Sequence, residues 1–90
     1  MIWDIEYFVR MIEQEFEEGS IEDIKKEGAR IKDDYFDERA TRYFMYWFYA
    51  LAHNSSSPEE AVKNNRSCAY CVQKTRIFAK QLINYVKQYR

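Results

Sequence analysis

The most restrictive feature of this sequence is an uninterrupted run of ten apolar residues, most of them aromatic, at positions 43–52. The run reads Tyr-Phe-Met-Tyr-Trp-Phe-Tyr-Ala-Leu-Ala and contains no charge, glycine or proline. On a helix, successive residues turn by about 100°, so a run of this length is apolar around the whole circumference. Such a helix must be covered on every side, and a chain of 90 residues has few elements to cover it. Part of this aromatic surface is therefore expected to contact another copy of the chain, a different protein or a nucleic acid.

The composition favours one small helical domain. Hydrophobic residues make up 47% of the chain and aromatic residues 18%, which is too rich in core-forming side chains for a disordered protein. Two glycines and one proline leave little material for hairpins, and nowhere does apolar–polar alternation persist as it does in a strand. We therefore predict an all-α fold, a compact bundle of three or four helices formed by residues 1–90 and ending in a long C-terminal helix.

Capping signals place the helices of the first half. The first helix is predicted from about residue 2 to residue 18, followed by Gly19 as a C-cap glycine. Residues 20–23 (Ser-Ile-Glu-Asp) have the form of a capping box, so a second helix antiparallel to the first is expected to start at once. If that helix continued through the apolar run it would be about 50 Å long. Because this is too long for a small domain, we expect a break near 33–37, with Asp37 capping a new helix.

The second half contains one clear loop at 53–57 (His-Asn-Ser-Ser-Ser). Ser57 is expected to be the N-cap of the following helix because Pro58 comes next and a glutamate stands three residues after the serine. This helix is predicted to run toward the end of the chain, with an interruption at 64–66 and Ser67 as a second N-cap.

A second aromatic surface is predicted on the first helix. Trp3, Tyr7 and Met11 recur every four residues on the side nearly opposite the expected core face. One-sided burial cannot cover both faces, and large aromatic residues are enriched in protein interfaces. The residues that we expect at an intermolecular contact are Trp3, Tyr7, Met11, Tyr43, Tyr46, Trp47 and Tyr49.

The net charge of −1 conceals a strong asymmetry between the two halves of the chain. Residues 1–40 contain 13 acids and 6 bases, for a net charge of −7, whereas residues 41–90 contain 2 acids and 8 bases, for a net charge of +6. Such asymmetry is typical of proteins that bind nucleic acid or an acidic partner. The alternative is that acidic and basic helices lie side by side and neutralise each other.

The basic residues near the C-terminus share one face of the predicted last helix. At helical spacing, four of them fall within an arc of roughly 80° that extends for about 30 Å. A stripe of this kind attracts phosphate backbones. The candidate nucleic-acid-binding residues are Arg66, Arg76, Lys80 and Lys87.

The pair Cys68 and Cys71 has the C-x-x-C spacing that occurs in metal sites, redox sites and disulfides. A redox site of the thioredoxin type is not expected, because it would need a preceding strand in a β-α-β unit and the sequence shows none. A zinc site would add His53, which gives three ligands where a structural site needs four. On a helical wheel both cysteines project to the apolar side, so the favoured interpretation is a pair of buried thiols that act as small hydrophobic residues. A disulfide is the next alternative, although disulfides are unusual in an ordinary cytosol.

No constellation of catalytic residues is recognisable. The chain contains one histidine and two glycines, so neither a nucleophilic triad nor a phosphate-binding loop can be assembled. We therefore predict a protein without enzymatic activity or cofactor. The longest apolar run is half of what a membrane helix needs, and the acidic N-terminus does not resemble a signal peptide, so no membrane contact and a cytoplasmic location are expected.

Two main functions are compatible with these patterns, and a third, a metal- or redox-dependent protein centred on Cys68 and Cys71, rests on that one short motif. The first is a helical interaction module that forms homo-oligomers or docks on a protein partner through its aromatic surface. The second is a small nucleic-acid-binding protein, or a subunit of a nucleoprotein complex, that uses the basic C-terminal helix.

Overall fold

The structure, a computed structural model, describes residues 3–89, and this part of the chain contains no β-strand. The prediction of an all-α fold with a long C-terminal helix is confirmed, with five α-helices in the described range. A π-helical turn at Phe48–Ala52 extends the third of them. The helices are α1 (Ile5–Glu15), α2 (Ser20–Ala29), α3 (Glu38–Trp47), α4 (Pro58–Asn65) and α5 (Ala69–Lys87).

The connection between α1 and α2 differs from the predicted one. Helix α1 ends at Glu15, three residues early, because Phe16 adopts an extended conformation. Gly19 has a φ of +94°, which glycine adopts at little cost, and it turns the chain into α2. Ser20 is consequently the first residue of α2 and not its N-cap, and its hydroxyl donates a hydrogen bond of 2.7 Å to the carbonyl of Glu17. The predicted capping box is therefore wrong.

The break predicted near 33–37 is confirmed. It begins with a turn at residues 32–35, whose ends are joined by a backbone hydrogen bond of 2.9 Å. The central residues, Asp33 and Asp34, have φ values of 53° and 60°, a left-handed conformation that aspartate tolerates better than most residues. Asp37 then caps α3, because its carboxylate accepts a hydrogen bond of 2.8 Å from the amide of Ala40.

The chain itself covers much of the aromatic run. Helix α3 packs against both α4 and α5, and the ring of Phe16, at the end of α1, lies 5.0 Å from that of Trp47. Only 5% of the Trp47 surface is exposed, so this side chain belongs to the core and offers almost no area to a partner. The buried hydrophobic core consists of Phe8, Val9, Ile12, Ile24, Phe36, Ala40, Phe44, Met45, Trp47, Phe48, Leu51, Phe78, Ala79, Leu82, Ile83 and Val86.

Helices α4 and α5 are separate, as predicted, but the interruption lies at residues 66–68, two residues later than expected, and the second N-cap is displaced by one residue. Helix α4 follows Ser57 as expected, although the serine hydroxyl makes no capping hydrogen bond. The N-cap of α5 is Cys68, not Ser67, because the Cys68 sulfur accepts a hydrogen bond of 3.1 Å from the amide of Cys71. Residues 66–68 therefore lie outside both helices, and Arg66 is not part of α5.

Candidate functional site

Three adjoining grooves cross the surface formed by α2, α3, α4 and α5. The first, which we call the basic groove, has a volume of about 470 Å³. Arg42 also lines a second groove, and Phe36 also lines a third, so the basic groove shares one lining residue with each of the other two. The residues of the basic groove are Phe36, Glu38, Thr41, Arg42, Arg66, Ser67, Val72 and Arg76.

The basic groove brings together three arginines from three parts of the chain. Arg42 lies in the first half of α3, Arg66 follows the last residue of α4, and Arg76 lies in α5. All three are exposed, and within residues 3–89 none has an acidic side chain within 4.0 Å. The groove thus holds three guanidinium groups and one carboxylate, that of Glu38. Guanidinium groups bind phosphate with paired hydrogen bonds, so this charge balance suits a phosphate group.

A second group of bases lies in what we call the lysine groove, which has a volume of about 290 Å³. Lys80 and Lys87 both line it, together with one acid, Asp34, whose carboxylate is 3.3 Å from the Lys80 ammonium. Both members of this ion pair are at least half exposed, so the pair contributes little stability. The residues of the lysine groove are Gly28, Ile31, Asp34, Phe36, Lys80, Ile83, Asn84 and Lys87.

The four bases predicted from the sequence therefore divide between two grooves, with Arg66 and Arg76 in one and Lys80 and Lys87 in the other. Among the described ion pairs, only that of Lys80 involves any of the four. The alternative was that acidic and basic helices neutralise each other. Among these four basic residues, and within the described part of the chain, only Lys80 is neutralised in this way, by Asp34. Sequence reasoning missed Arg42 because it lies beside the aromatic run, far along the chain from the other bases.

The third groove, which we call the aromatic groove, has a volume of about 550 Å³ and is lined by Tyr43 and Tyr46. Both tyrosines are half-buried, and burial raises the pKa of the Tyr43 phenol above its ordinary value. The charges balance, because three acids face three bases. The residues of the aromatic groove are Asp23, Lys26, Glu27, Arg39, Arg42, Tyr43, Tyr46, Glu59 and Val62.

One acid of the aromatic groove is held in place by arginines. Glu27 is only 5% exposed, and its carboxylate accepts hydrogen bonds of 2.5 Å from Arg30 and 3.2 Å from Arg39. A buried carboxylate requires such partners, since the loss of one would leave an uncompensated charge. This cluster joins the end of α2 to the start of α3 and fixes the wall of the aromatic groove.

The other residues predicted at an interface do not form one surface. Trp3 is half-buried, and its ring packs edge-on against Phe48 at 5.7 Å. Tyr7 is 55% exposed, whereas Met11 on the same helix is half-buried. Tyr49 is half-buried too, and burial raises the pKa of its phenol. Of the predicted set, only Tyr43 and Tyr46 line a groove together.

The two cysteines form a disulfide with a Cα–Cα distance of 5.2 Å, so the expectation of buried free thiols is wrong. Both residues are half-buried at the start of α5. The structure does not bring His53, Cys68 and Cys71 together as a metal site, since no group of three metal-binding side chains exists within residues 3–89. The ring of His53 instead packs 4.6 Å from that of Phe48.

The chain matches no protein-family model, no curated protein and no solved structure. No activity can therefore be carried over from a relative, and a functional proposal has to rest on the geometry of the grooves. The described helices include none that is both long enough and apolar enough to cross a membrane.

Proposed function

We propose that this protein binds single-stranded nucleic acid, without enzymatic activity, along the three adjoining grooves. The observation that carries the proposal is the position of Arg42, which lines both the basic groove and the aromatic groove. A surface that binds single strands needs a positive path for the phosphates and aromatic rings on which bases stack. Here the two requirements meet at one residue.

The phosphates would occupy the basic groove and the lysine groove. Arg42, Arg66 and Arg76 need not give up an ion pair to bind them, since none of the three has one among the described residues. Lys87 lies further along α5 and extends the positive path. Neutralising phosphates with these side chains releases counterions, which drives association at low salt.

The nucleobases of the bound strand would lie in the aromatic groove and stack on Tyr43 and Tyr46. The charges there balance, so this groove does not attract phosphate as the basic groove does. Tyr35, which is 71% exposed, offers another ring beside Phe36, the residue shared by the basic and lysine grooves. Stacking on an aromatic ring is worth about 1–3 kcal/mol per base and depends little on sequence.

Fluorescence anisotropy with a labelled single strand of mixed sequence tests this proposal. Arg66→Ala and Arg76→Ala should each weaken binding roughly fivefold to tenfold at low salt, because each removes one phosphate contact. Arg10→Ala is the matched control, since Arg10 is an exposed arginine on α1 that pairs with Glu6 and lines none of the three grooves. Equal affinities for all three variants would contradict the proposal.

Docking of a protein partner is the second candidate, and the aromatic groove favours it. With a volume of about 550 Å³ and two half-buried tyrosines, this groove is suitable for an apolar side chain of a second copy or of another protein. Light scattering over a range of concentrations distinguishes self-association from a monomer. A dimer that Tyr46→Ala dissociates would support this candidate, and a dimer unaffected by the substitution would oppose it.

A further inference from the structure

We infer that Cys68 and Cys71 form a reversible thiol–disulfide exchange couple, with Cys68 as the nucleophile and Cys71 as the resolving cysteine. The structure shows these two cysteines joined in a disulfide across the first turn of α5. Because they are only three residues apart, the bond closes a very small loop and removes little entropy from the unfolded chain. A bond in this position adds little to the fold, and both of its ends are half-exposed to reagents.

The surroundings of the two sulfurs differ in a way that assigns their roles. The Cys68 sulfur accepts a hydrogen bond of 3.1 Å from the amide of Cys71, and it stands at the N-cap of a 19-residue helix. Unpaired amides and the helix dipole at this position stabilise a thiolate. The Cys71 sulfur instead lies 3.5 Å from the side-chain oxygen of Asn65, an acceptor that favours a protonated thiol.

The exchange reaction follows from this asymmetry. In the reduced protein, the Cys68 thiolate attacks one sulfur of a partner disulfide, forms a mixed disulfide and releases the first partner thiolate. Cys71 then loses its proton to water, attacks the Cys68 sulfur and releases the second partner thiolate. The partner disulfide gains two electrons, and the protein returns to the Cys68–Cys71 disulfide of the structure.

The position of the couple connects it to the basic groove. Ser67 lines that groove and directly precedes Cys68, while Val72 lines it and directly follows Cys71. The disulfide therefore lies in the segment between two residues of the groove wall. Any effect of the couple on nucleic-acid binding depends on the function proposed above. The thiol–disulfide exchange itself does not depend on that function.

Two single variants test the assignment, because the chain has no other cysteine. Cys71→Ser leaves only Cys68, and Cys68→Ser leaves only Cys71. At about pH 6, iodoacetamide should react with Cys68 in the first variant at least roughly tenfold faster than with Cys71 in the second. The Cys71→Ser variant should also form a mixed disulfide with oxidised glutathione. Equal rates in the two variants would overturn the assignment.

The wild-type protein provides a second test that does not depend on the folding of the variants. Brief alkylation of the reduced protein followed by peptide mapping should label Cys68 first. Incubation in glutathione redox buffers should interconvert the dithiol and the disulfide while the circular dichroism spectrum stays helical. A disulfide that is reduced only in denaturant would overturn the inference. The nucleic-acid affinity of the same samples tests the proposed binding function separately.

Discussion

The Lys80 ammonium lies 3.3 Å from the carboxylate of Asp34 and joins the basic helix α5 to the turn between α2 and α3. This is the one described ion pair between the acidic first half of the chain and the predicted basic stripe. Asp34 is exposed and has a φ of 60° in a turn held by its backbone. Its carboxylate is therefore not needed for the fold, and under the proposed function it would compete with phosphate for Lys80.

Removing the Asp34 charge should strengthen nucleic-acid binding. Asp34→Asn keeps a residue that tolerates the left-handed conformation and frees Lys80, so affinity should rise roughly two- to fivefold at low salt. Asp33→Asn is the matched control, because it changes the net charge equally, has a φ of 53° and has no described ion pair. Anisotropy titrations compare the two. Equal gains in the two variants would show that only net charge matters and that the Lys80–Asp34 pair plays no part.

Replacing one tyrosine of the aromatic groove should weaken binding to single strands selectively. Tyr46→Leu keeps an apolar side chain but removes the ring, with an expected loss of about 1–3 kcal/mol of binding free energy if one base stacks there. Tyr7→Leu is the control, since Tyr7 is exposed on α1 and lines none of the grooves. Competition between a single strand and a duplex of equal length measures the preference of each variant for the single strand. An unchanged preference in Tyr46→Leu would argue against base stacking in this groove.

The approach of α2 to α5 leaves little room for a side chain at Gly28. A Cβ atom built there would lie 3.0 Å from both Cγ1 and Cγ2 of Ile83, so the buried Ile83 side chain would have to shift to accept it. Gly28→Ala should therefore destabilise the protein by about 1–3 kcal/mol, in spite of a gain in helix propensity of about 1 kcal/mol. Urea unfolding measures the loss. In a double-mutant cycle with Ile83→Ala the two effects should be strongly non-additive, and simple additivity would contradict the packing explanation.

Tyr43 should make the stability of the protein sensitive to alkaline pH. Burial raises its pKa in the folded state, so the neutral phenol stabilises the fold below the unfolded pKa of about 10. That contribution is lost as the pH rises through the folded pKa. The wild type should therefore lose more unfolding free energy than Tyr43→Phe between about pH 9.5 and pH 11.5. Parallel losses in the two proteins would show that the Tyr43 phenol does not contribute.

The sequence predicted the helices well where the signal was local. Asp37 caps α3, and proline opens α4, because both effects depend on neighbours within one turn. The cap of α2 could not be predicted in the same way, since Gly19 and Ser20 both fit a helix boundary and the early end of α1 decided between them. Helical spacing also predicted Arg66 on the last helix, although α5 begins only at Ala69.

The grooves and the buried tryptophan depend on contacts between distant parts of the chain. No local pattern indicates that Arg42, Arg66 and Arg76 line one groove, because the groove arises from the packing of α3 against α4 and α5. Likewise, the sequence shows that Trp47 must be covered but not by what, and the structure covers it within the chain. A burial requirement read from sequence therefore does not distinguish a core from an interface.

The salt dependence of binding to a labelled single strand is the most direct test of the proposed function. If Arg42, Arg66, Arg76 and Lys87 each neutralise one phosphate, a plot of log affinity against log salt should have a slope of about −3. The double variant Arg66→Ala/Arg76→Ala should bring that slope about 1.4 closer to zero. A slope near zero, or one that the double variant leaves unchanged, would contradict the assignment of the basic groove as a nucleic-acid-binding surface.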